Sequence, residues 1–531
     1  MRQALQRSSY LRQPQSPNVA RRQVALGASI PAPTGGWDAV SSLADMDEDR
    51  AIVLDNWFPL PDSVEVRRGY KNHATGMGST VVETLLVYHG ATTAANKMFA
   101  ALGGDFYDVT AEATASVTSS VTGMANNRWQ WVNFTTAGGK FLWACNGADT
   151  PKHYNGSAWV TPSISGVTSS DIVHVNAHQN RLWFVIKDST TAAYLATGAV
   201  AGTATPFELG GQVIRGGFLT AMGTWTRDGG SGVDDLAVFI FSTGDCIVYQ
   251  GTDPSSSNTW GKIGTFQLSP PIGRRCFQQV AGDLALVTID GVLPLSRALA
   301  TDQGAVAEVA LTKNINNAMN AAARSYKGNF GWELIPYARG TMALLNVPIS
   351  EGTLQHQYVV NTLTGAWCRF TGWNVNTMVV FADNLYGGTD DGKVIHLDFG
   401  GRDGTSEISA IGQGAYNYYK SRGILKNFGH VRALVTTASD LRPSLGISTD
   451  FKDNATLGTP VTATVTSALY DTAVYDTSVY AIEGRNVADW SAALGEGHCA
   501  SIHFRASTNA AGEVSTKING FDVTYTQGAF I

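Results

Sequence analysis

The sequence has 531 residues, of which 44% are hydrophobic and only 15% are charged, and its formal net charge is −6. This length predicts several domains or one large repeat architecture, and the acidic balance argues against a protein held on nucleic acid over its whole surface by phosphate neutralisation. No stretch of about 20 apolar residues is present, so no membrane-spanning helix is expected. The 57 glycines and the many threonines, serines and valines predict short β-strands joined by tight turns.

Residues 1–36 are predicted to form an extended basic arm, because no acidic residue precedes Asp38. We expect the arm to lie on a neighbouring subunit, and a solvated tail is the alternative. The arm lacks the apolar core and cleavage site of a signal peptide. Its candidate inter-subunit contacts are Arg2, Arg7, Arg12, Arg21 and Arg22.

Residues 37–80 are predicted to be an entry segment that packs on the rest of the molecule. It contains an acidic run, Asp45–Asp49, with four carboxylates. Carboxylates are suitable ligands for calcium, but the glycine and the distant glutamate of an EF-hand loop are missing. A solvated acidic patch is the favoured interpretation, and a weak ion site stays open.

Residues 81–400 are predicted to form a β-propeller of about six to eight blades. Apolar or aromatic runs alternate with Gly/Asp turns in about seven units, spaced roughly 35 to 60 residues apart, as in four-stranded blades. A hairpin beginning at Asp235 shows the pattern, with a Thr-Gly-Asp turn between two apolar runs. Small sheets with two apolar faces need neighbours on both sides, which radial stacking supplies. A pair of sandwiches is the alternative.

Three further features of the sequence stand apart from the strand pattern. Residues 313–325 are the best helix candidate, and a loop with one or two turns is the alternative. His174 and His178 are four residues apart, but the segment is strand-like, so a metal site is disfavoured. The five cysteines are dispersed, which predicts buried small apolar side chains in a reducing compartment rather than disulfides or zinc ligands.

Residues 401–531 are predicted to form a separate β-sandwich-like domain after a Gly-rich linker. Within it, Tyr470, Tyr475 and Tyr480 recur every five residues, a period of neither strand nor helix. Tyrosine provides a large, rigid contact area, so these three are candidate inter-subunit contacts. A meander packed on its own domain is the alternative.

Sequence patterns of catalysis are lacking. The chain has no phosphate-binding loop, no dinucleotide fingerprint and no nucleophile elbow. We therefore expect no enzymatic activity, no cofactor, no metal and no small-molecule substrate.

Two short motifs carry a resemblance to a known family. Asn56, Trp57, Phe58 and Pro59 lead into a strand that contains Arg67, Arg68 and Gly69. This opening, with the segments that start at Gln179 and Gly388 and the last strand of the chain, resembles the tail hub or nozzle proteins of short-tailed bacteriophages, also called tail tubular or DNA-stabilising proteins. The resemblance implies a six-fold ring of propeller subunits below the portal and adaptor, and it supplies no catalytic residues.

The expected function is therefore that of a structural virion protein, assembled in the host cytoplasm, which retains packaged DNA and conducts it during ejection. Its expected partners are further copies of itself, the adaptor, tail fibre or needle proteins, and passing double-stranded DNA that is not read by sequence. The first alternative is a host-surface propeller that binds or cleaves glycans, and the second is a secreted lectin-like propeller.

Overall fold

The fold was analysed in a computed structural model that describes residues 25–228, 233–280, 282–301, 305–437, 441–458 and 485–528. The described chain forms a β-sandwich into which a β-propeller is inserted. Its first strands belong to the sandwich: β1 (Leu26–Pro31), β2 (Gly36–Trp37), β3 (Arg50–Asp55), β4 (Trp57–Pro59) and β5 (Val64–Val66). The next strand, β6 (Tyr70–Ala74), belongs to the propeller.

Four four-stranded blades follow in chain order. Blade 1 consists of β7 (Thr84–Tyr88), β8 (Lys97–Leu102), β9 (Asp105–Asp108) and β10 (Ser119–Val121). Blade 2 consists of β11 (Gln130–Thr136), β12 (Gly139–Cys145), β13 (Lys152–Tyr154) and β14 (Trp159–Val160). After β15 (Ile164–Ser165), blade 3 consists of β16 (Ile172–His178), β17 (Arg181–Ile186), β18 (Thr191–Tyr194) and, beyond β19 (Gly202–Thr203), β20 (Thr205–Glu208). Blade 4 consists of β21 (Leu219–Asp228), β22 (Val233–Phe241), β23 (Asp245–Gly251) and β24 (Trp260–Gln267).

A three-stranded sheet, here called the short sheet, comes next. It consists of β25 (Phe277–Val280), β26 (Asp283–Thr288) and β27 (Gly291–Pro294), and it is followed by α1 (Leu295–Ala298), α2 (Val306–Val309) and α3 (Asn316–Tyr326). A 3-10 turn over Lys313–Ile315 leads into α3, so the helix predicted over residues 313–325 is confirmed. The apolar face of α3 packs with the short sheet and blade 5 in one core cluster.

Two more blades complete the ring. Blade 5 consists of β28 (Glu333–Tyr337), β29 (Met342–Ser350), β30 (Leu354–Asn361) and β31 (Trp367–Phe370). Blade 6 consists of β32 (Val375–Phe381), β33 (Asn384–Thr389) and β34 (Val394–Leu397), and β6 supplies its outermost strand. The first strands of successive sheets contact one another around the circle, and β32 contacts β7 to close it. The predicted all-β propeller of six to eight blades is confirmed, as six four-stranded blades and the short sheet.

Apolar side chains fill the spaces between successive blades. Trp143 of blade 2 stacks on Phe184 of blade 3 with ring centroids 4.8 Å apart, and both rings are fully buried. Trp183 of blade 3 stacks on Trp260 of blade 4 at 5.5 Å. Because each sheet buries two faces, neighbouring blades stabilise each other at about 25 cal/mol per Å² of apolar surface. This packing explains the recurrence of aromatic residues in the sequence.

The chain then returns to the sandwich with β35 (Ile408–Gly414), β36 (Lys426–Thr437), β37 (Ser444–Thr449), β38 (Arg485–Val487), β39 (Ser491–Gly497), β40 (Ala500–Thr508) and β41 (Thr516–Gln527). One sheet has the order β38-β36-β41-β5-β4, with β1 paired to β41 and β39 paired to β36. The other contains β3, β35, β40 and β37, and it is continuous with blade 5 through β31. The predicted C-terminal sandwich is therefore present, but the N-terminal strands complete it.

Strand pairing groups residues 25–80 differently from the expected boundaries at residues 36 and 80. Leu26 to Pro31 pair in antiparallel register with Tyr525 to Gly520, so this part of the expected arm is a sandwich strand. The expected entry segment is divided, because β3 pairs with β35 whereas β6 pairs with β34 of the propeller. Strands at the edges of a sheet need partners, and here the partners come from the far end of the chain. Residues 1–24 lie outside the described residues.

Candidate functional site: the domain junction and the propeller channel

Asn56 ties three segments together where the sandwich meets the propeller. It follows β3 with a φ of +59°, a conformation that asparagine tolerates better than most residues. Its side-chain amide donates to Oγ1 of Thr371 at 2.9 Å and to the carbonyl oxygen of Ser409 at 2.8 Å. Its Oδ1 accepts from the backbone N–H of Thr371 and from Nε of Arg67, both at 2.8 Å. Three of these hydrogen bonds join parts of the chain that lie more than 300 residues apart in sequence.

Arg67 occupies the centre of this junction. Its guanidinium forms a two-pronged ion pair with Asp403, at 2.8 Å from Nη1 to Oδ1 and 2.6 Å from Nη2 to Oδ2. It also donates to the carbonyl oxygens of Arg68 and Thr371, so together with the bond to Asn56 all five N–H groups have acceptors. The two charged side chains are 1% and 8% exposed. Such a buried, fully bonded pair fixes geometry, and losing one partner would leave a charge uncompensated.

The remaining motif residues pack around this pair. Trp57 is fully buried with its ring 5.4 Å from that of Phe504 in the sandwich, and Phe58 lies against Phe370 of blade 5. Pro59 is buried in β4, and its carbonyl oxygen accepts from the Asn361 amide at 2.8 Å. The strand β4, which contains Trp57, Phe58 and Pro59, therefore packs against both the sandwich and the propeller.

Gly69 is required by a close approach of two backbones. A Cβ at this position would lie 1.8 Å from the carbonyl oxygen of Arg402, so a side chain cannot be accommodated without backbone movement. Arg68, in contrast, points outward to Glu513 at 3.5 Å, with both side chains well exposed. The structure thus brings the seven predicted motif residues to one junction. Asp403 and Thr371 were missed, and nothing in their local sequence marks them.

Other predicted residues take no part in this junction. Arg2, Arg7, Arg12, Arg21, Arg22, Tyr470, Tyr475 and Tyr480 lie outside the described residues. In the acidic run, Asp45 pairs with Arg422 at 2.8 Å, and both side chains are exposed. Across the described ranges no group of three or more His, Cys, Asp or Glu side chains is arranged to hold a metal.

The five cysteines are buried and unpaired, as expected from their dispersion. Burial raises the pKa of the Cys246 and Cys276 thiols to about 12, which makes both of them inert. His174 and His178 both lie on β16, and burial lowers their pKa to about 3 and about 4. His178 contacts Oγ1 of Thr224 at 3.3 Å.

A cavity of about 660 Å³ follows the propeller axis. It is lined by the first strands of all six blades and of the short sheet. Its polar lining includes amide and hydroxyl groups at Gln130, Asn176, Thr224, Gln278, Gln279 and Thr377, and aromatic side chains at Trp131 and Phe277. This volume is typical of small-molecule sites in proteins.

Arg275 spans one end of this channel. It extends from the segment before β25 and donates to Glu333 of blade 5 at 2.9 Å and to Thr84 of blade 1 at 2.8 Å. Longer contacts of 3.2 Å to 3.3 Å reach the carbonyl oxygens of Glu83 and Trp129 and the Thr377 hydroxyl. The side chain of Arg275 therefore connects the short sheet to the neighbouring blade 5 and, across the channel, to blade 1.

Glu333 is buried and also accepts from the backbone N–H of Met378. Burial raises the pKa of this carboxyl group, while the Arg275 charge acts in the opposite direction. Among the described residues that line the cavity, Glu333 is the only one with a carboxylate.

Arg274 lines the same cavity, but unlike Arg275 its side chain forms no hydrogen bond or ion pair with another of the described residues. Its Nη1 is buried without a partner, and so is Nδ1 of His174. Burial lowers the pKa of the Arg274 guanidinium, and the Arg274 charge contributes to the lowered pKa of His174. These channel residues were not predicted, and their only signal in the sequence is two adjacent arginines shortly before a strand.

Comparisons with known proteins describe the fold only. No protein-family model and no curated protein matches the chain. Similar solved structures include YCF48 from Cyanidioschyzon merolae, at 10% identity and a TM-score of 0.36, covering 62% of this chain and 98% of that one. BBS1N in complex with ARL6DN has 9% identity and a TM-score of 0.38 over the same shares. The computationally designed Ika8 protein has 12% identity and a TM-score of 0.34, covering 65% of this chain and 96% of that one.

The class of protein is defined by the sheet order of the chain itself, which is that of a β-propeller. In the described part of the chain, no helix has the length and apolar character needed to cross a membrane.

Proposed function

We propose that this chain is a structural, non-enzymatic virion protein of a short bacteriophage tail. Copies of it form a ring, a hub or nozzle, around the DNA channel below the portal and adaptor. The ring retains packaged DNA and conducts it during ejection, and it contacts the adaptor and the tail fibre or needle proteins. The ring is proposed to have six copies.

The junction carries this proposal. The residues on which the resemblance to tail hub and nozzle proteins rests are the residues that fix the propeller to the sandwich. Asn56 and Arg67 together hold segments from both units through buried, fully bonded groups. A subunit in a conduit that resists the pressure of packaged DNA needs such a stiff connection, whereas a soluble binding module does not.

The charge of the chain is compatible with this role. A net charge of −6 gives a weakly repelling surface, along which DNA can slide without being held by counterion release. The low charged fraction of 15% suits a protein with much of its surface covered by other subunits.

The proposal is tested by the mass and shape of the purified full-length chain, measured by native mass spectrometry and negative-stain microscopy. A ring of about six copies supports it. A variant with glutamine at Arg2, Arg7, Arg12, Arg21 and Arg22 tests whether the arm assembles the ring, and loss of the ring in this variant would assign the arm to subunit contacts. A chain that stays monomeric alone and when mixed with a phage adaptor complex would contradict the proposal.

The alternative of a glycan-binding or glycan-cleaving propeller predicts a different result from the same preparation. It predicts a monomer or small oligomer that binds host polysaccharide. Cleavage would have to use Glu333 as one of two carboxylates, although that group is bonded to Arg275. A polysaccharide binding assay on the intact ring therefore separates the two functions.

A further inference from the structure

The propeller channel contains an arginine, Arg274, whose charge has no ion-pair partner among the described residues, although the carboxylate of Asp188 acts on it from outside the cavity lining. Arg275 is paired with Glu333, and no other carboxylate of the described residues lines the cavity. Arg274 has no hydrogen-bond partner, although one of its nitrogens is buried. Burying part of a guanidinium without acceptors is costly, because desolvation is not repaid by hydrogen bonds.

Two further groups beside Arg274 have unused hydrogen-bonding capacity. Nδ1 of His174 is buried without a partner on the same wall of the cavity. The Asn176 amide nitrogen donates to Oγ1 of Thr224 at 2.9 Å, which leaves its oxygen as an acceptor. The part of the wall formed by blade 3, blade 4 and the short sheet thus offers a fork of N–H donors, an imidazole and an amide oxygen.

We propose that the channel binds a small carboxylate ligand that also carries hydroxyl groups, of the class of the sugar acids. The single unpaired charge of Arg274 matches a monoanion, and a guanidinium fork matches the two oxygens of a carboxylate. A doubly charged phosphate would need a second free cation, and Arg275 is already engaged with Glu333.

The remaining cavity wall fits the hydroxyl groups of such a ligand. Amides at Gln130, Gln278 and Gln279 line the cavity and can donate and accept. Trp131 and Phe277 offer apolar surface for the ring carbons. The volume of about 660 Å³ accommodates a monosaccharide acid with bound water. This inference does not rest on the tail function, since the site belongs to the propeller of each single chain.

The test measures binding of sodium glucuronate to the full-length chain by isothermal titration calorimetry, with glucose as the uncharged match. We expect one site per chain, and affinity for glucose at least tenfold lower. Arg274→Gln should weaken glucuronate binding at least tenfold, because it removes the only unpaired cation of the cavity. Arg297→Gln is the matched control, since Arg297 is an exposed arginine on α1 outside the cavity and its removal should leave the affinity unchanged.

Equal binding of glucuronate and glucose would overturn the proposal, and so would an unchanged affinity in Arg274→Gln. Equal losses in Arg274→Gln and Arg297→Gln would also overturn it, since they would indicate non-specific attraction to positive charge. If Arg274→Gln fails to fold, Arg274→Lys replaces it in the test. Lysine keeps the positive charge but lacks the two parallel N–H donors of the guanidinium, so this variant should bind glucuronate several-fold more weakly than the wild type. In addition, a crystal of the wild-type chain soaked in glucuronate should show the ligand at Arg274, and an empty channel would contradict the proposal. Failure of any of these tests leaves the ring assay unaffected.

Discussion

The junction and the channel place arginines in partly or fully buried positions, and the two regions use them in opposite ways. Arg67 at the junction has an acceptor for each of its five N–H groups and a carboxylate as its partner. Arg274 in the channel has none of these partners. A fully bonded charge fixes two parts of a structure in place, whereas an unbonded one is available to a ligand. By this contrast Arg67 stabilises the fold, whereas Arg274 can bind a ligand.

The largest expected effect comes from breaking the junction. Arg67→Ala leaves Asp403 as an uncompensated buried charge, which should lower the free energy of unfolding by about 3–5 kcal/mol. Chemical denaturation followed by tryptophan fluorescence measures the change. Arg68→Ala is the control next to it in sequence, because its exposed pair with Glu513 contributes about 0–1 kcal/mol. A loss of less than 1 kcal/mol in Arg67→Ala would show that the junction is not held by this pair.

The backbone contact at Gly69 should be the next most sensitive point. Gly69→Ala places a methyl group 1.8 Å from the Arg402 carbonyl oxygen, so the two segments must separate. We expect a loss of about 1–3 kcal/mol, as for other overpacked sites, measured by the same denaturation curves. Gly27→Ala serves as the control, because a Cβ there meets no atom within 4 Å. Similar losses at the two glycines would contradict the role assigned to Gly69.

In the channel, His174 should make the protein sensitive to acid. Its pKa in the folded chain is lowered from 6.5 to about 3, so between these values the unfolded chain binds a proton that the folded chain does not. This contribution to stability is present above pH 6.5 and is lost as the pH falls towards 3. From pH 7 to pH 5 the loss amounts to about 2 kcal/mol.

The variant His174→Gln should therefore lose about 2 kcal/mol less than the wild type between pH 7 and pH 5, which denaturation curves at both pH values can measure. His430→Gln, on an exposed position of β36, is the control and should follow the wild-type curve. Parallel curves for His174→Gln and the wild type would disprove the contribution of this histidine.

The smallest expected change in stability is that of Arg274→Gln, and it gives the most direct comparison of Arg274 with Arg67. Arg274→Gln should change the melting temperature very little or raise it, because no hydrogen bond is lost and a partly buried charge is removed. The expected change in unfolding free energy is within about 1 kcal/mol. Differential scanning calorimetry without added anions is the measurement. A loss comparable with that of Arg67→Ala would mean that Arg274 holds the fold, and the contrast between the two regions would fail.

Local patterns in the sequence predicted much of the propeller. The hairpin after Asp235 forms where expected, as β22 and β23 around a turn with Gly244 at a φ of +92°. The α3 helix and the strands of the C-terminal domain were also predictable, because period and turn chemistry are local properties. These signals depend on neighbouring residues only.

Pairing between distant strands left no such signal. The addition of β6 to β34 and of β1 to β41 was not predicted, since the partners are hundreds of residues apart. The motif around Asn56 and Arg67 was identified by resemblance, but its role depends on Asp403, which lies 336 residues further along the chain. Likewise, Arg274 and Arg275 are adjacent and chemically identical, and only the fold determines which one is paired.

The insertion of the propeller into the sandwich has a consequence for biosynthesis. Leu26 pairs with Tyr525, so β1 has no partner until nearly the whole chain has left the ribosome. At about 5–20 residues per second the wait is roughly 25 to 100 seconds, and during it Trp57 and Phe58 have no sandwich core to enter. Translation products that stop before β41 cannot complete the sandwich. Only chains that include β41 would then be competent to enter an assembly, and shorter products would be left to chaperones and proteases.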